Sequence, residues 1–172
     1  MRSAIAAAGL AVGLVAGFAA AGTGHHSSGR WALADAMASG APVFVVRVEN
    51  KPSKDRTQGI DGYAVLSRPR PLSPDQTRRL QDLFREDKRF DAHHAASACG
   101  FFPGFAFRVG RDGEKGNVLI CFDCNEIKVV DFGKDSYESS CHARRALIDL
   151  LRSAMPDDAQ LAQLDADGEC YF

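Results

Sequence analysis

The sequence contains none of the short motifs by which an enzyme class is usually recognised. It has no glycine-rich phosphate loop, no nucleophile elbow and no paired-carboxylate motif. It also lacks an excess of charge of one sign, because 21 Lys and Arg residues are nearly balanced by 22 Asp and Glu residues. A near-neutral chain with interspersed charges gives no electrostatic basis for binding nucleic acid. These absences favour a protein that is not an enzyme and that does not bind nucleic acid.

A run without a single polar side chain, residues 4–21, indicates a secretory signal peptide. Arg2 supplies the positive charge that precedes such a run, and Ala19-Ala20-Ala21 supplies the small residues that a signal peptidase requires. We expect residues 1–21 to be cleaved and the mature protein to be secreted or periplasmic. The alternative is a retained membrane anchor, although so short a segment, rich in Ala and Gly, is only weakly apolar. No cysteine lies near the cleavage point to accept a lipid, so no strong membrane association is expected after cleavage.

The rest of the chain divides into two segments by composition. Residues 22–41 are rich in Gly, Ser and Ala, which predicts a flexible tether, with a short helix from about Trp31 to Ala38 as an alternative within it. Residues 42–172 contain no internal repeat and no low-complexity tract, so a single domain is expected there. A domain of this size can bury a hydrophobic core and does not need disulfides merely to fold.

Capping signals and apolar alternation predict the secondary structure of this domain. The run from Ser73 to Gln76 is a capping box with proline at the first helical position, and it begins a helix that runs to about Asp87. A second helix is predicted to begin after a cap at Ser139 or Ser140 and to end at Pro156. Period-2 alternation predicts strands at residues 42–49, 63–67, 105–110, 117–122 and 127–132. The prediction is an α+β domain, with an antiparallel sheet of about five short strands and two main helices on one face.

Cysteine is the residue type that carries candidate chemistry in this chain. The five cysteines are Cys99, Cys121, Cys124, Cys141 and Cys170. Outside the cytoplasm, thiols tend to end as disulfides or as metal ligands. Because five is an odd number, simple pairing leaves one thiol over. All five are therefore disulfide candidates, and their connectivity stays open.

Three of these cysteines are expected to converge. Cys121 and Cys124 lie between two strand-like runs, and Asn125 tolerates the left-handed backbone that a tight turn needs. Such a turn would bring both sulfurs to one side, as in half of a tetrahedral metal site. If the two preceding strands form a hairpin, position 124 lies opposite roughly position 102, close to Cys99.

The cysteine segments also carry a resemblance. Cys99-Gly-Phe-Phe-Pro103 and, after a hairpin, Cys121-Phe-Asp-Cys124 resemble a pattern seen in uncharacterised exported bacterial proteins and lipoproteins. Those proteins show a Cys-x-Phe-x-Pro segment before a Cys-Phe-x-Cys turn. The resemblance covers about residues 72–155, and only the cysteine segments are specific. It implies that Cys99, Cys121 and Cys124 act together, and it implies no activity.

Structural disulfides are the first chemistry that fits the cysteines. One bridge would join Cys99 to Cys121 or Cys124. A second would join Cys141 to Cys170 and tie the second helix to the C-terminal tail. This reading predicts an exported, non-catalytic domain without a cofactor, whose partner is an envelope component or another protein.

Two alternatives remain. A zinc-type metal site would use Cys99, Cys121 and Cys124, with His142 or Cys141 as the fourth ligand. Thiol–disulfide exchange would use the Cys121–Cys124 pair, although strand-like residues follow it where a redox motif has the helix that lowers the thiolate pKa. Covalent haem attachment is not expected, because Asn stands where the Cys-x-x-Cys-His motif needs His.

Overall fold

A computed structural model of the chain describes residues 29–55, 57–92, 100–131 and 134–168. Its strands form one antiparallel sheet in the order β2-β1-β4-β5-β6-β7-β3, with bounds β1 Val43–Arg47, β2 Arg70–Pro71, β3 Asp91–Ala92, β4 Phe105–Val109, β5 Asn117–Cys121, β6 Glu126–Asp131 and β7 Lys134–Ser139. The α-helices are α1 Gly29–Ala38, α2 Pro74–Arg85, α3 Arg144–Ala154 and α4 Ala159–Gln163. Short 3-10 turns lie at Asp87–Arg89, Arg111–Gly113 and Cys141–Ala143. Within the described ranges, no helix is long and apolar enough to cross a membrane.

The α+β class and the antiparallel sheet confirm the prediction from the sequence. The strand count differs, because two strands of two residues each add to the edges of five strands of five or six residues. The strand expected at residues 63–67 is reduced to isolated bridges: Tyr63 pairs back onto Ile60 after the turn at Asp61 and Gly62, both with positive φ, and Val65 pairs with Val48 just after the end of β1. Strand β7 was missed because its sequence is polar and shows no apolar alternation.

All four helices pack on one face of the sheet, where they share a single hydrophobic core. The sheet contributes alternate strand residues to it, namely Val43, Val45, Phe105, Phe107, Val109, Val118, Ile120, Ile127 and Val129. The helices contribute Leu33, Ala34, Met37, Leu80, Leu83, Phe84, Leu147, Ile148, Leu150, Leu151 and Leu161. The two predicted main helices, α2 and α3, are therefore joined on this face by α1 and the short α4.

Helix α1 replaces part of the expected tether over residues 22–41. Its Arg30 is only 3% exposed, and its Nε donates to Glu138 Oε2 at 2.8 Å. The same guanidinium donates to the Phe84 carbonyl and to Asp87 Oδ1, and it lies 4.6 Å from the centre of the Phe90 ring. A buried arginine with this set of partners anchors the helix to α2 and β7. The Ala-rich composition of the segment concealed that anchor.

The opposite face of the sheet is covered by the loop between β1 and β2. Ile60 and Tyr63 of this loop pack against a second cluster of buried strand residues, Val46, Val48, Ala106 and Leu119. Lys128, 3% exposed, projects from β6 on this face and forms an ion pair with Asp61 of the loop. The pair holds the loop on the sheet, so the central strands are buried on both faces.

The helix ends show which capping predictions hold. The capping box of α2 is confirmed, since Gln76 N donates to Ser73 Oγ at 3.2 Å and Ser73 N donates to Gln76 Oε1 at 2.8 Å. The cap expected for α3 at Ser139 or Ser140 is wrong, because α3 follows the 3-10 turn Cys141–Ala143 and begins without a side-chain cap. The Ser140 N–H donates instead to the Asn125 carbonyl at 2.7 Å.

The anchoring of α1 predicts a large effect of one substitution. Arg30→Ala should lower the free energy of unfolding by about 3–5 kcal/mol, because it leaves Glu138 as a buried carboxylate without its cation. Urea denaturation measures the change. The matched control is Arg85→Ala, which removes an ion pair with Asp35 between the same two helices. That pair is solvated, so its loss should cost about 0–1 kcal/mol. Equal effects of the two variants would contradict the anchoring role of Arg30.

Candidate functional site

The Cys-x-x-Cys segment forms the turn that joins β5 to β6. Cys121 is the last residue of β5 and pairs with Glu126, the first residue of β6. Between them the chain reverses over residues 122–125, and Asn125 takes the left-handed conformation with φ 52°. Asn adopts this backbone at less cost than other residues with a Cβ atom. The tight turn predicted from the sequence is therefore present.

Cys121 is a free thiol with no exposed surface. Burial raises the pKa of this thiol above its ordinary value, and the negative charge of Asp123 acts in the same direction. Backbone N–H groups of Phe102, Cys124 and Asp123 near the sulfur favour the thiolate, but they only partly offset the burial. Cys121 is therefore a neutral, inaccessible thiol near pH 7 and a poor nucleophile.

Cys124 differs from Cys121 in state and in surroundings. It is partly exposed, and it is a half-cystine, that is, one half of a disulfide. Its Sγ lies 2.9 Å from the carbonyl oxygen of Gly100. Gly100 directly follows Cys99 in the chain, so the segment beside Cys99 reaches the turn, as the hairpin argument predicted. Cys99 itself lies outside the described residues.

The second half-cystine is Cys141, at the start of the 3-10 turn before α3. Its side chain is nearly buried, with 7% of its surface exposed. Cys170, its expected partner, lies outside the described residues. No two cysteines within the described ranges lie at disulfide distance from each other.

The predicted metal ligands do not assemble in the part of the chain that is described. There, no group of three or more His, Cys, Asp or Glu side chains is placed to hold a metal ion. His142 is exposed on the 3-10 turn, where its carbonyl accepts from Arg89 Nη1 at 3.1 Å. Cys121 and Cys124 both belong to the turn, but among the described residues no third proposed ligand is grouped with them.

Arg144 is a residue of this site that the sequence analysis missed. It is the first residue of α3, and its Nη1 donates to the Phe122 carbonyl at 2.6 Å and to Asn125 Oδ1 at 2.7 Å. Its Nε donates to the Asp165 carbonyl at 2.8 Å. No sequence signal indicated it, because the cap expected at Ser139 or Ser140 would have placed Arg144 beyond the first turn of the helix.

Comparisons with known proteins add no relative to this picture. No protein-family model matches the chain, and neither the curated proteins nor the solved structures contain a match. What the site does must therefore be inferred from its own chemistry.

The buried thiol predicts a pH dependence of stability. Because folding raises the pKa of Cys121, the stabilisation from its neutral form is complete below the unfolded pKa, about 8.5, and is lost as the pH rises through the folded pKa. Cys121→Ala should lower the free energy of unfolding at neutral pH by about 1 kcal/mol. That difference from the wild-type protein should shrink as the pH is raised from about 8 to about 10. A difference that stays constant in urea titrations over this range would show that folding does not change the pKa.

Proposed function

We propose that this protein is an exported, non-catalytic α+β domain whose cysteines are structural staples and whose partner is a protein or another component of the cell envelope. One observation carries the proposal. The two cysteines of the Cys-x-x-Cys turn are in different states, with Cys121 a buried thiol and Cys124 a half-cystine. A redox motif needs two cysteines that bond reversibly to each other, with an exposed thiolate of low pKa. The raised pKa of Cys121 opposes that chemistry.

The first proposed bridge joins Cys124 to Cys99. The short distance from Cys124 Sγ to the Gly100 carbonyl supports this pairing, because Gly100 is the neighbour of Cys99. The bridge would tie the segment before β4 to the turn after β5. Tyr63 Oη, which donates to the Phe101 carbonyl at 3.3 Å, holds the same segment from the loop side.

The second proposed bridge joins Cys141 to Cys170. The tail at residues 165–168 runs beside the start of α3, since Arg144 Nε donates to the Asp165 carbonyl and lies 3.1 Å from the position that a Cβ atom of Gly168 would take. That path brings the chain within two residues of Cys170. The bridge would tie the C-terminal tail to the start of α3. Each bridge would stabilise the fold by about 2–4 kcal/mol, chiefly by restricting the unfolded chain.

Zinc binding is the second candidate, and one observation favours it. The N–H groups of Asp123 and Cys124 near the Cys121 sulfur favour a thiolate, which is the form that binds a metal. The proposed ligands would be Cys99, Cys121 and Cys124, with His142 or Cys141 as the fourth. The half-cystine state of Cys124 argues for the disulfide in an oxidising compartment.

The export proposal rests on residues 1–21, which lie outside the described residues. The full chain should be expressed in a bacterial host with its own leader and recovered from the periplasm or the medium. N-terminal sequencing should then begin at about residue 22. Recovery in the membrane fraction with Met1 or Arg2 at the N-terminus would contradict cleavage and favour the retained anchor.

The same exported protein tests the cysteine assignment. Under denaturing conditions without reductant, N-ethylmaleimide should label Cys121 alone, and reduction should then free the four other cysteines. Peptide mapping should recover Cys99 with Cys124 and Cys141 with Cys170. Elemental analysis on the same sample should find no stoichiometric zinc. One zinc per chain, with Cys99, Cys121 and Cys124 labelled only after chelation, would overturn the disulfide assignment.

Single substitutions distinguish the cysteines in the proposed disulfides from the free thiol of Cys121. Cys124→Ser and Cys141→Ser should each lower the free energy of unfolding by about 2–4 kcal/mol. Cys121→Ser serves as the matched control, because it changes the third cysteine of the same region but should leave both bridges in the peptide map. Loss of a bridge in Cys121→Ser would contradict the proposed pairing.

A further inference from the structure

Arg144 is the first residue of α3 and directly follows the 3-10 turn Cys141–Ala143. Its backbone N–H donates to the Cys141 carbonyl, so the backbone is already paired at this point. The first turn of α3 contains no acidic residue, and the guanidinium of Arg144 finds its partners outside the helix. Its described contacts all lie on two segments that adjoin cysteines.

The first segment is the turn that carries Cys121 and Cys124. Arg144 Nη1 donates to the Phe122 carbonyl and to Asn125 Oδ1, and the guanidinium carbon lies 5.5 Å from the centre of the Phe122 ring. Phe122 follows Cys121, and Asn125 follows Cys124. The arginine thus holds the turn at a point beside each cysteine. These contacts fix the turn with Cys121 inward and Cys124 towards Gly100.

The second segment is the tail that leads to Cys170. Arg144 Nε donates to the Asp165 carbonyl at 2.8 Å, and Gly168 passes close to the guanidinium. A Cβ atom at Gly168 would lie 3.1 Å from Nε and 3.3 Å from Cζ, so the close approach favours glycine. Cys141 precedes Arg144 by three residues on the same turn of chain. One side chain therefore holds both cysteine-bearing segments against the start of α3.

We propose that Arg144 is a positioning residue that selects the pairing of the cysteines, an inference that rests on the proposed disulfides. Each bridge forms when two thiols give two electrons and two protons to a disulfide oxidant, which leaves as two thiols. Arg144 takes no part in that exchange. It holds the turn in which Cys124 faces Gly100, and it holds the tail beside the start of α3. Without it, Cys121 competes for both partners.

Oxidative refolding tests the proposal. The exported full chain is reduced in guanidinium, refolded in a buffer of reduced and oxidised glutathione, trapped with N-ethylmaleimide and mapped by peptide mass. The wild-type protein should carry label on Cys121 alone. In Arg144→Ala, the ratio of native to mispaired chains should fall about tenfold, because charge-assisted hydrogen bonds that hold the native turn are lost. Arg144→Lys, which keeps the charge but not the forked geometry, should give an intermediate ratio.

Two further variants separate positioning from stability. Arg152→Ala is the matched control, because Arg152 lies on the same helix and donates to the carbonyls of Leu161 and Leu164 at 3.0 and 2.6 Å. It should lower the unfolding midpoint and leave the pairing native. Asn125→Gly removes one acceptor of Arg144 while it keeps a backbone that accepts positive φ. It should lower the ratio of native to mispaired chains, as Arg144→Ala does, but by a smaller factor.

Three results would overturn the inference. Wild-type pairing in Arg144→Ala would show that the arginine does not select partners. Mispairing in Arg152→Ala equal to that in Arg144→Ala would assign the effect to general stability. In both cases the disulfides of the wild-type protein, and with them the proposed function, would stand. A wild-type protein that forms no disulfide would overturn both proposals.

Discussion

Burial of β5 on both faces is the constraint on which the rest of the structure depends. Val118 and Ile120 face the helices, and Leu119 faces the loop that covers the other side, each with no exposed surface. A strand buried in this way has one register only, because a slip of one residue would exchange the two sets of side chains. The paired register of β4, β5 and β6 follows from it. Polar residues on these strands must then find partners inside the protein, as Lys128 does with Asp61.

The same constraint accounts for the difference between the two cysteines of the turn. Cys121 is still part of β5 and is buried with it, so its sulfur is shielded from oxidants and other thiols. Cys124 comes three residues later, after the chain has left the sheet, and it faces the segment around Gly100. Sequence spacing alone makes the two thiols look equivalent. Their positions relative to the end of a buried strand make them chemically distinct.

Local signals in the sequence predicted the elements that depend on local physics. The capping box at Ser73 and Gln76 defined the start of α2, and the alternation through Phe105, Phe107 and Val109 defined β4. Strand β7, which was missed, and the anchoring of α1 depend on tertiary contacts. Strand β7 is polar and forms by pairing with β6, while α1 is held by the ion pair of Arg30 with Glu138 on that strand. Neither partner can be identified before the fold brings the two segments together.

In the candidate site, too, the features that local signals predict differ from those that depend on tertiary contacts. Convergence of the Cys99 segment on the turn followed from hairpin geometry, and the contact of Gly100 with Cys124 lies within one or two residues of that expectation. The contacts of Arg144 could not be derived, because they join residues 122, 125 and 165, which no local pattern relates. The cap expected at Ser139 or Ser140 would also have placed Arg144 beyond the first turn of the helix, so its position gave no signal.

An odd number of cysteines is a hazard for an exported protein, because a free thiol can exchange with any disulfide it reaches. The rate of that exchange depends on the thiolate fraction and on access to the sulfur. Burial at the end of β5 lowers both for Cys121, since it raises the thiol pKa and removes the sulfur from solvent. The fifth cysteine is thus tolerable where it stands, and it would not be tolerable three residues later. The folded sheet therefore protects the proposed disulfides from exchange with the Cys121 thiol.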